Sequence, residues 1–280
     1  MIIDAHLHLW DTERHRYEWL LRPGNEALNR PFGFGDFAAR AASAGVDAGV
    51  LVQADDAAAD TEMMFEVARA RASIAGVVGW VPLDRPEEAA RALEGLCGRP
   101  KFAGIRALIH DQPDPDWLLR PSVDEGLGLL EDRGVPFDVV AVLPRHLAHV
   151  PVLSQRHPRL PMVLDHLAHP PLGHARREDW EPWRSLLRAA AENPLVHAKV
   201  SGLYPPRPDW DAGDIRPYVE YAVEVFGAER LMAGSDWPVA EQGGGYQRVW
   251  GAVARVIGEL PEPSREAMLG GTARRFYGLP

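Results

Sequence analysis

Residues 1–10 read MIIDAHLHLW. Ile3, Ala5, Leu7 and Leu9 fall on one parity and Asp4, His6, His8 and Trp10 on the other. Period two over this length predicts a strand that carries both histidines on one face. Working outward, seven more short apolar runs follow: AGVLVQA, IAGVVGWV, FAGIRALI, VPFDVVA, PMVLDH, LVHAKVSG and RLMAGSDW. Helical patterns such as DTEMMFEVARARAS, PEEAARALEGL, SVDEGLGLLEDRG, EPWRSLLRAAAEN and IRPYVEYAVEVFG lie between them. Near-continuous Val, Ile and Leu suits parallel strands covered on both faces. Eight strand–helix alternations in 280 residues predict an α/β fold, a single-domain (β/α)8 TIM barrel spanning 1–280. A doubly wound open sheet ranks second, because no glycine-rich fingerprint follows an early strand.

In a (β/α)8 barrel the chemistry gathers at the C-terminal ends of the strands. Those ends carry His6 and His8, Gln53, Trp80, Arg106, Asp138, Asp165 and His166, Lys199 and Ser201, and Ser235, Asp236 and Trp237. His6, His8, His166 and Asp236 form a nitrogen and oxygen donor set suited to one divalent ion such as zinc. The same groups can work without metal, with Asp236 as general base and the imidazoles donating to a carbonyl oxygen. Arg106 sits in an apolar strand and must be paired; a substrate oxygen is the expected partner, an internal ion pair the alternative. Among 30 basic residues only Lys101 and Lys199 are lysines, so Lys199 marks a place for a compact charge, toward substrate or toward Asp165 or Asp138. His146, His149 and His157 are expected at the surface, and His169 and His174 near the mouth.

Composition bounds the partners. Forty acidic against thirty basic residues give a net charge of −10, which argues against nucleic acid. No apolar run is long enough to span a membrane, and Asp4 interrupts the start before a leader peptide core forms. The single cysteine, Cys97, excludes an intramolecular disulfide and is expected to be a buried small residue. A cytoplasmic protein is expected, and the sequence sets no oligomeric state. There is no GxSxG elbow, no P-loop, and no cysteine beside a histidine.

The set DAHLHLW, GWVPLD, GIRALIHDQPDPDWL, VLDHLAHPP, KVSGL, FGAERLMAGSDWPV and GGTARRFYGL resembles the lactonase branch of the amidohydrolase superfamily over essentially the whole chain. The resemblance implies hydrolysis of a small lactone, most directly a sugar aldonolactone of the L-fuconolactone type in carbohydrate catabolism. It implies Asp236 as the base, His6, His8 and His166 as the groups that polarise the carbonyl, and Arg106 as a substrate contact. Lys199, Gln53, Trp19 and Trp237 complete the expected substrate-binding set. Binuclear members carry a lysine or glutamate at the end of strand 4 and a histidine after strand 5. Here those positions read Arg106 and FDVV, so two metals are not expected; one optional ion is, and activity need not depend on it. After KVSGL the sugar lactonases tend to carry a Thr-Glu pair where this chain reads YPPRPDW. The competing readings are a zinc-dependent decarboxylase of the same superfamily and a non-catalytic barrel that binds a sugar acid.

Overall fold

Strands whose two faces are both apolar need cover on both sides, and a barrel ringed by helices supplies it. The computed structural model describes residues 1–173 and 180–280. Its strands are β1 (Ile3–Leu7), β2 (Ala48–Val52), β3 (Ile74–Gly79), β4 (Phe102–Ala107), β5 (Phe137–Val139), β6 (Met162–Leu164), β7 (Val196–Val200) and β8 (Leu231–Ala233). All pair in parallel and in sequence order. The last meets the first: Asp236 N donates to His6 O at 2.8 Å and His8 N to Trp237 O at 2.7 Å. The result is a (β/α)8 barrel.

Helices α1 (Phe34–Ser43), α2 (Ala58–Ala70), α3 (Pro86–Cys97), α4 (Pro121–Arg133), α5 (Pro144–Arg156), α6 (Glu181–Ala191), α7 (Ala212–Phe226) and α8 (Tyr246–Gly258) cover the outside. Proline opens α3, α4 and α5, where its missing N–H costs nothing. Outward strand residues such as Leu51, Val77, Ile105 and Leu164 pack under these helices, each contributing about 1.5–3 kcal/mol of burial. Inward residues Val50, Val52, Val78, Val163 and Met232 form a second cluster, closed at the strand starts by the chain's end. After α9 (Glu262–Glu266), α10 (Thr272–Tyr277) brings Ala273, Tyr277 and Leu279 into that inner cluster.

Two expectations fail here. Cys97 is exposed: α3 buries Ala89, Leu93 and Leu96, and Cys97 is the last residue of that helix, before the Gly98 cap. His146, His149 and His157 are buried. Helical spacing places His146 and His149 beside Leu147, Val150 and Leu153 on the inner face of α5, and His157 caps its C-terminus; carboxylates meet two of the three: His149 Nε2 lies 2.9 Å from Asp116 and His157 Nε2 3.2 Å from Asp124. No helix among the described residues is long and apolar enough to cross a membrane.

Candidate active site

The opening strand does not alternate strictly. Its register with β2 shifts between Asp4 and Leu7. Ile3 and Ala5 belong to the inner cluster and Leu7 to the outer one. Asp4 Oδ1 is held by the backbone N–H groups of Ser235 at 2.8 Å and His6 at 3.2 Å. The irregularity removes Asp4 from the face it was expected to share with His6 and His8. The two imidazoles are left together at the barrel mouth, ring centroids 4.9 Å apart.

The other two members sit on strained backbone. After β6, His166, Leu167, Ala168 and His169 are all left-handed, with φ of 54°, 50°, 56° and 52°. Asp236, after β8, has φ 59°. For non-glycine residues this costs roughly 1–2 kcal/mol each, and such strain persists where surrounding structure enforces it, often at functional sites. Gly202 (φ 60°) supplies the close approach between β7 and β8: a Cβ there would lie 2.7 Å from His166 Nδ1 and 3.0 Å from Asp236 Oδ2.

Three imidazole nitrogens converge on one carboxylate oxygen. Asp236 Oδ1 is 3.4 Å from His8 Nε2, 3.7 Å from His6 Nε2 and 3.8 Å from His166 Nε2. His8 is oriented by Val52 O, 2.7 Å from its Nδ1, and His166 by Ser201 Oγ, 2.9 Å from its Nδ1. Burial holds His6 and His166 well below the usual histidine range; Lys199 adds to the effect at His6, while Asp236 opposes it at His166. Both are therefore neutral. Burial works to raise Asp236, but His166, His8 and Arg106 together leave it below the ordinary carboxylate value. It is ionised at neutral pH.

Beneath this layer lies a buried ionic network. Lys199 Nζ is 2.5 Å from Asp138 Oδ2 and 3.1 Å from Asp165 Oδ1. Asp165 Oδ2 meets Arg106 Nε at 3.1 Å, and Tyr277 donates its hydroxyl hydrogen to Asp138, 2.8 Å from Oδ2. Two acids against two cations balance, so Asp236 stands as an extra negative charge beside the neutral His6 and His166. Burial opposes the ionised form of Asp165, yet Lys199, His6 and Arg106 hold it well below the carboxylate range. Burial pushes Asp138 up to about 6 despite Lys199.

A cavity of about 380 Å³ opens onto His8, His166 and Asp236. Arg106, Trp19 and His169 line it. Lys199, Gln53 and Trp237, expected as substrate contacts, lie outside its lining. Lys199 is consumed by its carboxylates. Gln53 donates from Nε2 to Asp56 and to Arg106 O. Trp237 is fully buried against Phe32 and Phe37, with Nε1 donating to Glu241. Arg106 keeps both alternatives: it faces the cavity while Nε meets Asp165 and Nη1 donates to Gln53 O at 3.2 Å. Trp10 and Trp117 are core residues. His174 lies outside the described residues. Arg22, Asn25 and Tyr204 line the cavity unforeseen; they come from loops without periodicity, and only the YPPRPDW departure pointed toward one of them.

The donor spacing fits a metal ion. Ligands at 2.0–2.2 Å in tetrahedral geometry lie about 3.3–3.6 Å apart. The His6–His8 Nε2 separation is 3.2 Å, and the contacts to Asp236 run from 3.4 to 3.8 Å. His6, His166 and Asp236 offer ligand atoms within 4.8 Å of one another.

The chain matches the amidohydrolase family over residues 3–279. L-Fucono-1,5-lactonase of Burkholderia ambifaria is 35% identical over 282 residues, covering 99% of this chain and 95% of that enzyme. L-Fucono-1,5-lactonase of Burkholderia multivorans is 33% identical over 293 residues, covering 99% and 96%. A solved amidohydrolase from Burkholderia multivorans with bound zinc superimposes with a TM-score of 0.90 at 32% identity over the full length of both chains.

Proposed function

The chain belongs to the amidohydrolase family, and on that premise we propose that it opens a sugar aldonolactone of the L-fuconolactone type by hydrolysis. The observation that carries the reading is one ionised carboxylate, Asp236, facing the cavity within 3.4–3.8 Å of three imidazole nitrogens. The relatives named L-fucono-1,5-lactonase support the substrate class.

In this reading Asp236 takes a proton from water as the water oxygen bonds to the lactone carbonyl carbon. His166 borders the position where negative charge develops, and its neutral imidazole N–H stabilises the oxyanion there, while His8 is held by its Nδ1–H bond to Val52 O. The carbonyl re-forms, the ring C–O bond breaks, and the departing ring oxygen recovers the proton from Asp236. The product is an open hydroxy acid. Trp19, Tyr204 and Leu172 offer apolar surface to a ring, and Arg106 and Asn25 offer donors to its oxygens. His6, His8, His166 and Asp236 would hold a divalent ion, zinc in our reading, which when bound polarises the carbonyl and acidifies water. The buried ionic network braces Arg106 and Lys199 through Asp165 and Asp138, and in our reading the ion is accessory. A cytoplasmic setting is retained on the strength of a lone cysteine with no disulfide.

The test is a panel of aldonolactones and dicarboxylate lactones, assayed with a pH indicator before and after chelation. L-Fuconolactone or a close stereoisomer is expected to be the best substrate, with most activity surviving chelation. Complete loss restored only by zinc would overturn the accessory role; no hydrolysis of any lactone would overturn the function.

A further inference from the structure

β2 and β4 are not neighbours in the sheet, because β3 lies between them. No backbone ladder can join them directly, yet Gln53, just past β2, and Arg106, in β4, are bonded to each other twice. Gln53 Nε2 donates to Arg106 O at 3.2 Å, and Arg106 Nη1 donates to Gln53 O at 3.2 Å. Each side chain holds the main chain of the other residue, and both residues are buried. The Gln53 amide is further fixed by Asp56, whose Oδ1 accepts from Nε2 at 3.0 Å. A backbone carbonyl and a carboxylate only accept, so it is the nitrogen of the amide that faces them. The same Asp56 oxygen accepts from Leu108 N at 2.9 Å, which ties the loop after β2 to the chain just past β4.

Asp165 holds Arg106 in a different way. Its Oδ2 lies 3.1 Å from Arg106 Nε, but that nitrogen has no partner in hydrogen-bond geometry among the described residues. The carboxylate supplies charge without direction. The directional bond on the guanidinium is the one from Nη1 to Gln53 O.

We propose that Gln53 is a positioning residue that aims the Arg106 guanidinium into the cavity and through it orients the lactone ring. Gln53 lies outside the cavity lining and acts only through Arg106, which lines it. The inference rests on the reading of Arg106 as a substrate contact in the proposed hydrolysis. The amide also occupies Asp56 Oδ1, and the Asp56 carboxylate interacts with the Arg106 charge. Without Nε2, that oxygen loses a donor and Arg106 O loses its tie to β2. The guanidinium is then drawn toward Asp56 and away from its pose at the cavity.

The experiment compares Gln53→Met with wild type, both verified as folded by circular dichroism, in steady-state hydrolysis of L-fucono-1,5-lactone. Methionine is unbranched like glutamine and has no N–H to give. KM is expected to rise about fivefold or more with kcat within about twofold, because the ring contact is made in the ground state and the transition state alike. An unchanged KM with a lowered kcat and melting temperature would mark Gln53 as a strut of the barrel and overturn the proposal. In an Arg106→Lys background the same change is expected to move KM by less than about twofold, since the fork it aims is gone; equal effects in both backgrounds overturn the proposal. Crystal structures of wild type and Gln53→Met are expected to differ in the guanidinium, turned from Gln53 O toward Asp56 in the variant; an unchanged pose overturns the proposal whatever the activity. If Gln53→Met fails to fold, Gln53→Asn, which withdraws the amide by one methylene, carries the same readouts. Wild type inactive on every lactone defeats the functional reading alone, and the pair of crystal structures still decides the positioning.

Discussion

Replacing Arg106 by lysine separates its two duties. The guanidinium meets Asp165 Oδ2 through Nε at 3.1 Å, gives Nη1 to Gln53 O at 3.2 Å, and lines the cavity. Lysine keeps one charge and loses the fork. Asp165 is not orphaned, because Lys199 stays 3.1 Å away. The structural loss is thus about one hydrogen bond from a charged donor, 1.5–3 kcal/mol. For a chain of this size that lowers the melting temperature by roughly 3–12 °C. If the remaining guanidinium edge also orients the lactone, kcat/KM per folded molecule falls a further tenfold or more, about 1.4 kcal/mol of transition-state binding. Thermal melts and steady-state lactone hydrolysis on the same preparation measure both. A variant that melts early yet keeps kcat/KM within about twofold of wild type would show that Arg106 braces the barrel and does not touch substrate.

Gly202→Ala places a methyl group 2.7 Å from His166 Nδ1 and 3.0 Å from Asp236 Oδ2 at a left-handed φ, so turnover is expected to fall by about a hundredfold with the circular dichroism spectrum unchanged; wild-type turnover would contradict the close approach. Asp56 is raised by burial to about 6 from 3.8, so its contribution to stability is full below about pH 4 and is lost as pH rises through 6. Asp56→Asn removes that loss. The variant is expected to melt higher than wild type at pH 7.5 with the advantage vanishing near pH 4, and an equal gap at both pH values would refute the assignment.

The barrel was legible because β-strand runs and amphipathic helices alternate along the entire chain, and buried parallel strands tolerate little else. The strand ends then named His6, His8, His166 and Asp236 before any geometry was known. Other features depend on contacts between distant parts of the chain. Asp4 leaves the histidine face because Ser235, at the far end of the sequence, holds its carboxylate. The left-handed run His166–His169 contains no glycine to announce it. Lys199 was conspicuous as one of two lysines, but its occupation by Asp138 and Asp165 follows only from barrel closure, which brings β5, β6 and β7 together. The α5 histidines look polar along the chain, and they are buried because carboxylates on neighbouring segments meet His149 and His157 there.

The claim on which the account turns is that Asp236 activates water to open a lactone. It is tested most directly by the rate of L-fucono-1,5-lactone hydrolysis with wild type and Asp236→Asn, both confirmed as folded. The amide is nearly isosteric with the carboxylate but cannot take the proton, so turnover is expected to fall by about a thousandfold, within the range of removing a general base. Retention of more than about a tenth of wild-type turnover would contradict the account.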